Sequence, residues 1–150
     1  MPSETIVLRE AGPGDLPGLL ELYRALNPSD PELTAQEAGA PFTAMLEQSG
    51  LTVFLAMHDG KPVATATLLV VPNLTRAARP YALIENVVTL EAQRGRGYGR
   101  MVVRHAIEAA FTANCYKVML LTGRDDPAVH AFYESCGFAQ NKTGFQIRQD

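Results

Sequence analysis

The segment Arg94-Gly95-Arg96-Gly97-Tyr98-Gly99-Arg100 alternates glycine with arginine, and Arg104 adds a fourth cation one turn further on. Glycine lets a backbone approach a ligand closely. The stretch after it, Arg100 to Thr112, has the amphipathic pattern of a helix. A helix start leaves amides without partners and carries partial positive charge. Such a junction is an anion site suited to a phosphate or pyrophosphate. The arginines stand out because the whole chain is acidic, with a net charge of -3. That local reversal of sign draws an anionic ligand to one place.

Three nucleotide-binding patterns can be compared with this loop. A P-loop needs Gly-Lys followed by Ser or Thr, and the chain has no such triplet. A dinucleotide site needs Gly-x-Gly-x-x-Gly, whereas Gly95, Gly97 and Gly99 are evenly spaced, and a hairpin precedes the strand before them. The third pattern is Arg-x-x-Gly-x-Gly, Arg94 to Gly99. It resembles the pyrophosphate loop of the GNAT N-acetyltransferase superfamily. Ala131-Phe132-Tyr133-Glu134-Ser135-Cys136-Gly137-Phe138 is similar to that superfamily's Phe-Tyr-x-x-x-Gly-Phe segment, about thirty-five residues past the loop. In the C-terminal half, Ile84 to Val88, Cys115 to Val118 and Phe145 to Arg148 are also similar to segments of the glucosamine-6-phosphate N-acetyltransferases. The chain departs from those at Thr122, where they carry an acidic residue, and in a longer loop from Gly123 to Ala128. The acceptor is therefore not carried over.

The resemblance implies an enzyme that moves an acetyl group from acetyl-CoA, as cosubstrate and without a metal, to a primary amine of a small molecule. It implies direct attack in a ternary complex. Val87, Val88 and Thr89 would lie along the pantetheine arm, in a strand that splays from its neighbour. Backbone amides from Arg94, Gly95, Arg96, Gly97, Tyr98, Gly99 and Arg100 would hold the pyrophosphate. Tyr133 would protonate the leaving thiolate. A phenol with a pKa near 10 is protonated at neutral pH and stands above a thiol near 8.5. Glu85, alone among apolar strand residues, is the candidate base. Tyr23, Leu26, Asn27, Glu85 and Asn86 would border the acceptor. Asp126 stands where many relatives carry an asparagine that contacts the cofactor; a carboxylate there can accept but not donate.

Other reactive side chains have blander expectations. His58 precedes a turn and is expected to face solvent. His105 is expected to pack or face water, and His130 is a lesser candidate for the cofactor side. Cys115 and Cys136 read as small packing residues. Arg76 and Arg79 lie in a polar loop, expected to be solvated, with approach to an anionic substrate as the alternative.

The elements that must position these groups follow from local pattern. Thr5 to Arg9 reads as a strand, and Asp15 as the cap of a helix with Leu16, Leu19, Leu20, Tyr23 and Leu26 at helical spacing. Thr34 to Gln48 reads as a second helix. Leu51 to His58 and Pro62 to Val71 flank Asp59-Gly60, a hairpin signal. Tyr81 to Leu90 is a third strand in this region, with Glu85, Val87 and Thr89 on one face by simple alternation. Lys117 to Thr122 is an apolar run expected to be a strand buried on both faces. Pro127 to Cys136 is a short helix stopped by Gly137. Phe138-Ala139 and Gly144 to Arg148 are expected as closing strands. The fold class is α+β (mixed α/β). The resemblance narrows it to a GNAT-type fold with one central, mixed, mostly antiparallel, splayed sheet and helices on both faces.

The 150 residues suit one domain, residues 1–150. With 47% apolar residues the chain can bury a core, which excludes general disorder. Two cysteines exclude a disulfide scaffold and cannot complete a structural zinc site. The acidic balance and the lack of an aromatic array argue against nucleic acid as a partner. Met1-Pro2-Ser3-Glu4 lacks the features of a secretory signal and no apolar run suits a bilayer, so the expected location is cytoplasmic, without a membrane. The resemblance also allows a homodimer, with residues 144–148 pairing between subunits. The competing functions are acetylation of a protein N-terminus or lysine, and non-catalytic acyl-CoA binding.

Overall fold

The elements run β1 (Ile6–Glu10), α1 (Leu16–Leu26), α2 (Ala35–Glu47), β2 (Leu51–His58), β3 (Lys61–Val71), a short α3 (Thr75–Ala78), β4 (Tyr81–Thr89), α4 (Tyr98–Thr112), β5 (Val118–Met119) and α5 (Pro127–Ser135). This is a computed structural model, and it describes residues 5–149. The Met1 to Glu4 stretch read for a leader lies outside the described residues, as does Asp150. β2 and β3 form the expected hairpin, and both Asp59 and Gly60 take positive φ (48° and 80°). That turn geometry matches the right-handed twist of the strands. β1 pairs antiparallel with β2, β4 antiparallel with β3, and β5 parallel with β4. The sheet order is therefore β1-β2-β3-β4-β5. Only the last pair is parallel, and α4 makes its crossover.

Alternation along β2 divides the core into two layers. Val53, Leu55 and Met57 pack with Leu19 and Leu22 of α1, Phe42 of α2 and Val88 of β4. Phe54 points the other way and meets His105 of α4 edge-on, with centroids 5.0 Å apart. Helices thus cover both faces. Leu19 and Leu22 are at most 1% exposed, and burying each such side chain contributes about 2 to 3 kcal/mol. α1 sits so close to β3 that a Cβ on Gly18 would fall 2.7 Å from Cγ of Pro62. A larger residue there would push the helix off the sheet.

Several local expectations change once pairing is visible. Asp15 does not cap α1 with its side chain. Its carboxylate accepts two hydrogen bonds from Arg9, at 2.7 and 2.8 Å, and one from the Gly12 amide at 2.7 Å. Thr34 does cap α2, accepting from the Glu37 amide at 3.1 Å. The strand expected over Lys117 to Thr122 shrinks to Val118–Met119, half-buried rather than buried on both faces. It is the edge strand of the sheet, with no further strand beside it among the described residues. Neither Phe138-Ala139 nor Gly144 to Arg148 is a strand, because among the described residues neither pairs with one. The polar loop from Pro72 to Pro80 contains α3, in which Arg76, Ala77 and Ala78 all take left-handed φ (56°, 58° and 64°).

The chain forms two compact units, one ending at Leu120 and one starting at Leu121. The first holds the sheet and α1 to α4. The second holds α5, whose Tyr133 ring meets Phe132 at 5.0 Å and Phe138 at 6.2 Å between centroids. Among the described residues no helix is long and apolar enough to cross a membrane.

Candidate active site

β4 is the element that organises the site. It pairs with β5 only at Ala82↔Val118 and Leu83↔Met119. From Ile84 to Thr89 the β5-facing edge of β4 therefore has no strand partner among the described residues. A sheet edge of this kind presents unpaired N–H and C=O groups. Val87, Val88 and Thr89 lie on that open edge. Val88 is 6% exposed, its side chain committed to the α1 layer, so its backbone is what it can offer.

The other side of β4 carries a bulge. Thr65 stands opposite Val88 and Thr67 opposite Glu85, so four residues of β4 face three of β3. Asn86 absorbs the extra residue with φ 53°. A bulge of this kind turns the side chains that follow it. The simple alternation that set Glu85 with Val87 and Thr89 is thereby corrected: Glu85 shares a face with Val88, the α1 face. Glu85 and Asn86 are both exposed.

β4 then leads into the arginine and glycine loop. Gly97 is the N-cap of α4, with φ 87° and ψ 4°. That left-handed backbone favours glycine, and it aims the first amides of α4 outward. α4 starts at Tyr98, two residues earlier than its apolar pattern suggested. The Tyr98 ring is 3% exposed and stacks on His58, centroids 5.5 Å apart. Tyr98 can thus offer a ligand its amide but not its phenol. His58, expected in solvent, is instead covered by this ring, because β2 ends beneath α4. Arg94 donates from Nε to the Thr89 carbonyl at 3.4 Å, tying the loop to the end of β4. Arg94, Gly95, Arg96, Gly97 and Arg100 are exposed, while Gly99 is buried.

On the α1 side, Tyr23 and Asn27 come together in a cavity of about 120 Å³ with Leu20, Pro31 and Leu33. Leu26, expected to line the acceptor, packs on the core instead. A shallower groove of about 380 Å³ runs past Arg24, Lys61, Leu90 and Gln93. Neither hollow includes Glu85 or Asn86 among its lining residues. Burial raises the pKa of the Tyr23 phenol, an effect that the facing Thr67 hydroxyl partly offsets. Thr67 was not singled out from the sequence. Its signal was there: Thr65 and Thr67 are spaced two apart in an otherwise apolar strand.

Arg76 and Arg79 are structural straps. Arg79 donates to the carbonyls of Asn114 and Cys115, each at 3.3 Å, just past the end of α4. Arg76 lies over the Tyr116 ring at 5.4 Å. Cys115 and Cys136 are both buried, and burial pushes the Cys115 thiol up in pKa.

In the second unit, Tyr133 is half-buried on α5. Asp126 is the N-cap of that helix, its carboxylate accepting from the Ala128 amide at 2.9 Å. That bond gives the carboxylate a local role in starting α5. His130 Nε2 lies 3.0 Å from the Arg124 carbonyl. Among the described residues no group of three or more His, Cys, Asp or Glu side chains could hold a metal ion.

Comparison with known proteins gives the family. Residues 19–138 match the family model described as the acetyltransferase (GNAT) family. "Probable glucosamine 6-phosphate N-acetyltransferase 2" of Oryza sativa subsp. japonica is 36% identical over 115 residues, which cover 73% of this chain and 68% of that protein. Glucosamine 6-phosphate N-acetyltransferase of Trypanosoma brucei brucei is 32% identical over 145 residues, 95% of this chain and 94% of that one. A solved structure named "Putative acetyltransferase from Agrobacterium tumefaciens str. C58" is 85% identical, with a TM-score of 0.94, covering 95% of this chain and 99% of its own.

Proposed function

The chain belongs to the GNAT acetyltransferase family and is an acetyl-CoA-dependent N-acetyltransferase; we propose that its acceptor is the primary amine of a small molecule, attacked directly in a ternary complex. One observation carries the reading. The open edge of β4 is followed, after a short turn at Glu91–Gln93 and the glycine loop, by the arginine-flanked start of α4, an order that suits a single extended ligand with a diphosphate at one end. Acetyl-CoA supplies an activated acyl thioester; the remaining requirements fall to the protein.

The amides of the loop and first turn of α4, from Arg94 to Arg100, would hold the diphosphate, with the arginines adding charge-assisted contacts. An N–H on the edge from Val87 to Thr89 would donate to the thioester carbonyl and strengthen as negative charge develops there. Glu85 would take a proton from the acceptor ammonium, through water, freeing the lone pair that attacks. The C–N bond then forms, the C–S bond breaks, and Tyr133 would protonate the departing thiolate. Tyr23, Asn27 and Asn86 would border the acceptor, with Asp126 near the cofactor as a hydrogen-bond acceptor only. The names of the relatives make glucosamine 6-phosphate the first acceptor to test.

We propose further that residues 1–150 act as one acetyltransferase domain, since the family match crosses from Leu120 to Leu121 without a break. Phe145 and Ile147, spaced as on one face of a strand, are 90% and 98% exposed; pairing of this segment with a second copy would cover them in a homodimer. A chain with only two cysteines, both buried, suits the reducing cytoplasm we propose as its location.

The test combines calorimetry and turnover. Acetyl-CoA should bind the wild type and Tyr133→Phe equally, while Tyr133→Phe turns over about 10-fold or more slowly. An amine panel run beside N-terminal and lysine peptides should show turnover only with small amines. Peptide turnover would move the acceptor to protein, and binding without turnover on any amine would leave an acyl-CoA-binding module.

A further inference from the structure

β3 carries two threonines on one face, two residues apart, with opposite fates. Thr65 is fully buried and donates its hydroxyl to the Phe54 carbonyl at 2.8 Å. Thr67 is 7% exposed, and its hydroxyl oxygen is buried without a hydrogen-bond partner. The buried hydroxyl of Tyr23, from α1, is in the same condition. The two hydroxyls face each other but do not meet hydrogen-bond geometry. Buried polar groups left unpaired lower stability, and a valine and a phenylalanine would fill the same space without that cost.

What lies across the ladder from Thr67 is Glu85. Residues directly opposite in an antiparallel pair have Cβ atoms about 5 Å apart and point to the same face. The continuous register from Val71↔Tyr81 to Thr67↔Glu85 sets that pairing, and the bulge at Asn86 then brings Val88 onto the same face. By residue, then, the row runs from Tyr23 to Thr67, which its hydroxyl faces, to Glu85, exposed and across the ladder from Thr67.

We propose that Thr67, backed by Tyr23, is a positioning residue for Glu85, its hydroxyl donating to the carboxylate when an acceptor amine is bound. The Tyr23 hydroxyl donates in turn to the Thr67 oxygen, so that each group in the row gains a partner. Bonds of this kind are commonly long before substrate arrives and tighten in the complex. The proposal rests on Glu85 as the base in the reaction above, and it adds the groups that aim it.

The experiment is a double-mutant cycle in steady-state turnover, with melting temperature recorded for every variant. Thr67→Val should lower kcat about 10-fold, leave the KM for acetyl-CoA unchanged and melt no lower than wild type. Thr67→Ser should restore the rate. Tyr23→Phe should lower kcat in the same direction. In a Glu85→Gln background, Thr67→Val should have no further effect, because the group it positions is gone. Wild-type kcat in Thr67→Val, or an equal loss in the Glu85→Gln background, overturns the positioning role and leaves the base reading standing. Wild-type kcat in Glu85→Gln overturns both.

Discussion

His58, the last residue of β2, lies under the ring of Tyr98, the first residue of α4, with their planes 29° apart. This stack fixes the height of the α4 start over the sheet. It therefore also fixes where the amides of the first turn point. In the proposed anion site the Tyr98 ring would support the turn from below, leaving only its amide to the ligand.

Tyr98→Ala should accordingly weaken two properties together. Removing a buried ring costs about 3 to 5 kcal/mol of stability. The loosened helix start should also raise the dissociation constant for acetyl-CoA, read by calorimetry below the melting transition. Tyr98→Phe keeps the stack and should leave affinity near wild type. An alanine variant that melts lower but binds acetyl-CoA normally would uncouple the stack from the site.

Gly97 has a second, sharper dependence. At φ 87° a β-branched side chain is strained, at about 1 to 3 kcal/mol. Gly97→Val should rotate the first amides of α4 and reduce affinity for acetyl-CoA about 10-fold, with kcat at saturation much less affected. A lowered kcat with unchanged affinity would contradict the assignment of this turn to the diphosphate.

Stability should depend on pH through Asp15. The hydrogen bonds from Arg9 hold its carboxyl below the ordinary range, outweighing the opposing effect of burial; the Gly12 amide and the Arg9 charge add to the lowering. A carboxyl with a depressed pKa in the folded state stabilises fully above its unfolded value, near 3.9. That contribution is lost as pH falls through the folded pKa. Asp15→Asn should therefore lower the urea midpoint at pH 7, and the gap from wild type should close on acidification below about pH 4. A gap that stays constant down to pH 2 would show that the carboxylate charge adds nothing.

Much of the candidate site is legible residue by residue. The loop from Arg94 to Gly99, the apolar pattern behind it and the Phe132-Tyr133 pair are short-range features. So are the Asp59-Gly60 turn and the Thr34 cap. What escaped reading involved partners far apart in the chain. His58 was expected in water because nothing near it in sequence says that a ring forty residues away will cover it. Arg79 reads as solvated, with an anionic substrate as the alternative, and only the fold brings it the carbonyls of Asn114 and Cys115. The apolar alternation of Phe145 and Ile147 signals a strand, but a strand exists only with a partner.

The chain's own order of residues determined the α2 cap, the hairpin and the glycine turn before α4, since each depends on backbone preferences within a few positions. Tertiary structure alone decided that β4 parts from β5 after Leu83, that Glu85 stands opposite Thr67 with one extra residue at Asn86 bringing Val88 to the same face, and that Tyr98 is buried. Those outcomes depend on strand register and helix packing. Register is set by the sum of many distant contacts, and shifting it by a single residue reverses which face a side chain occupies.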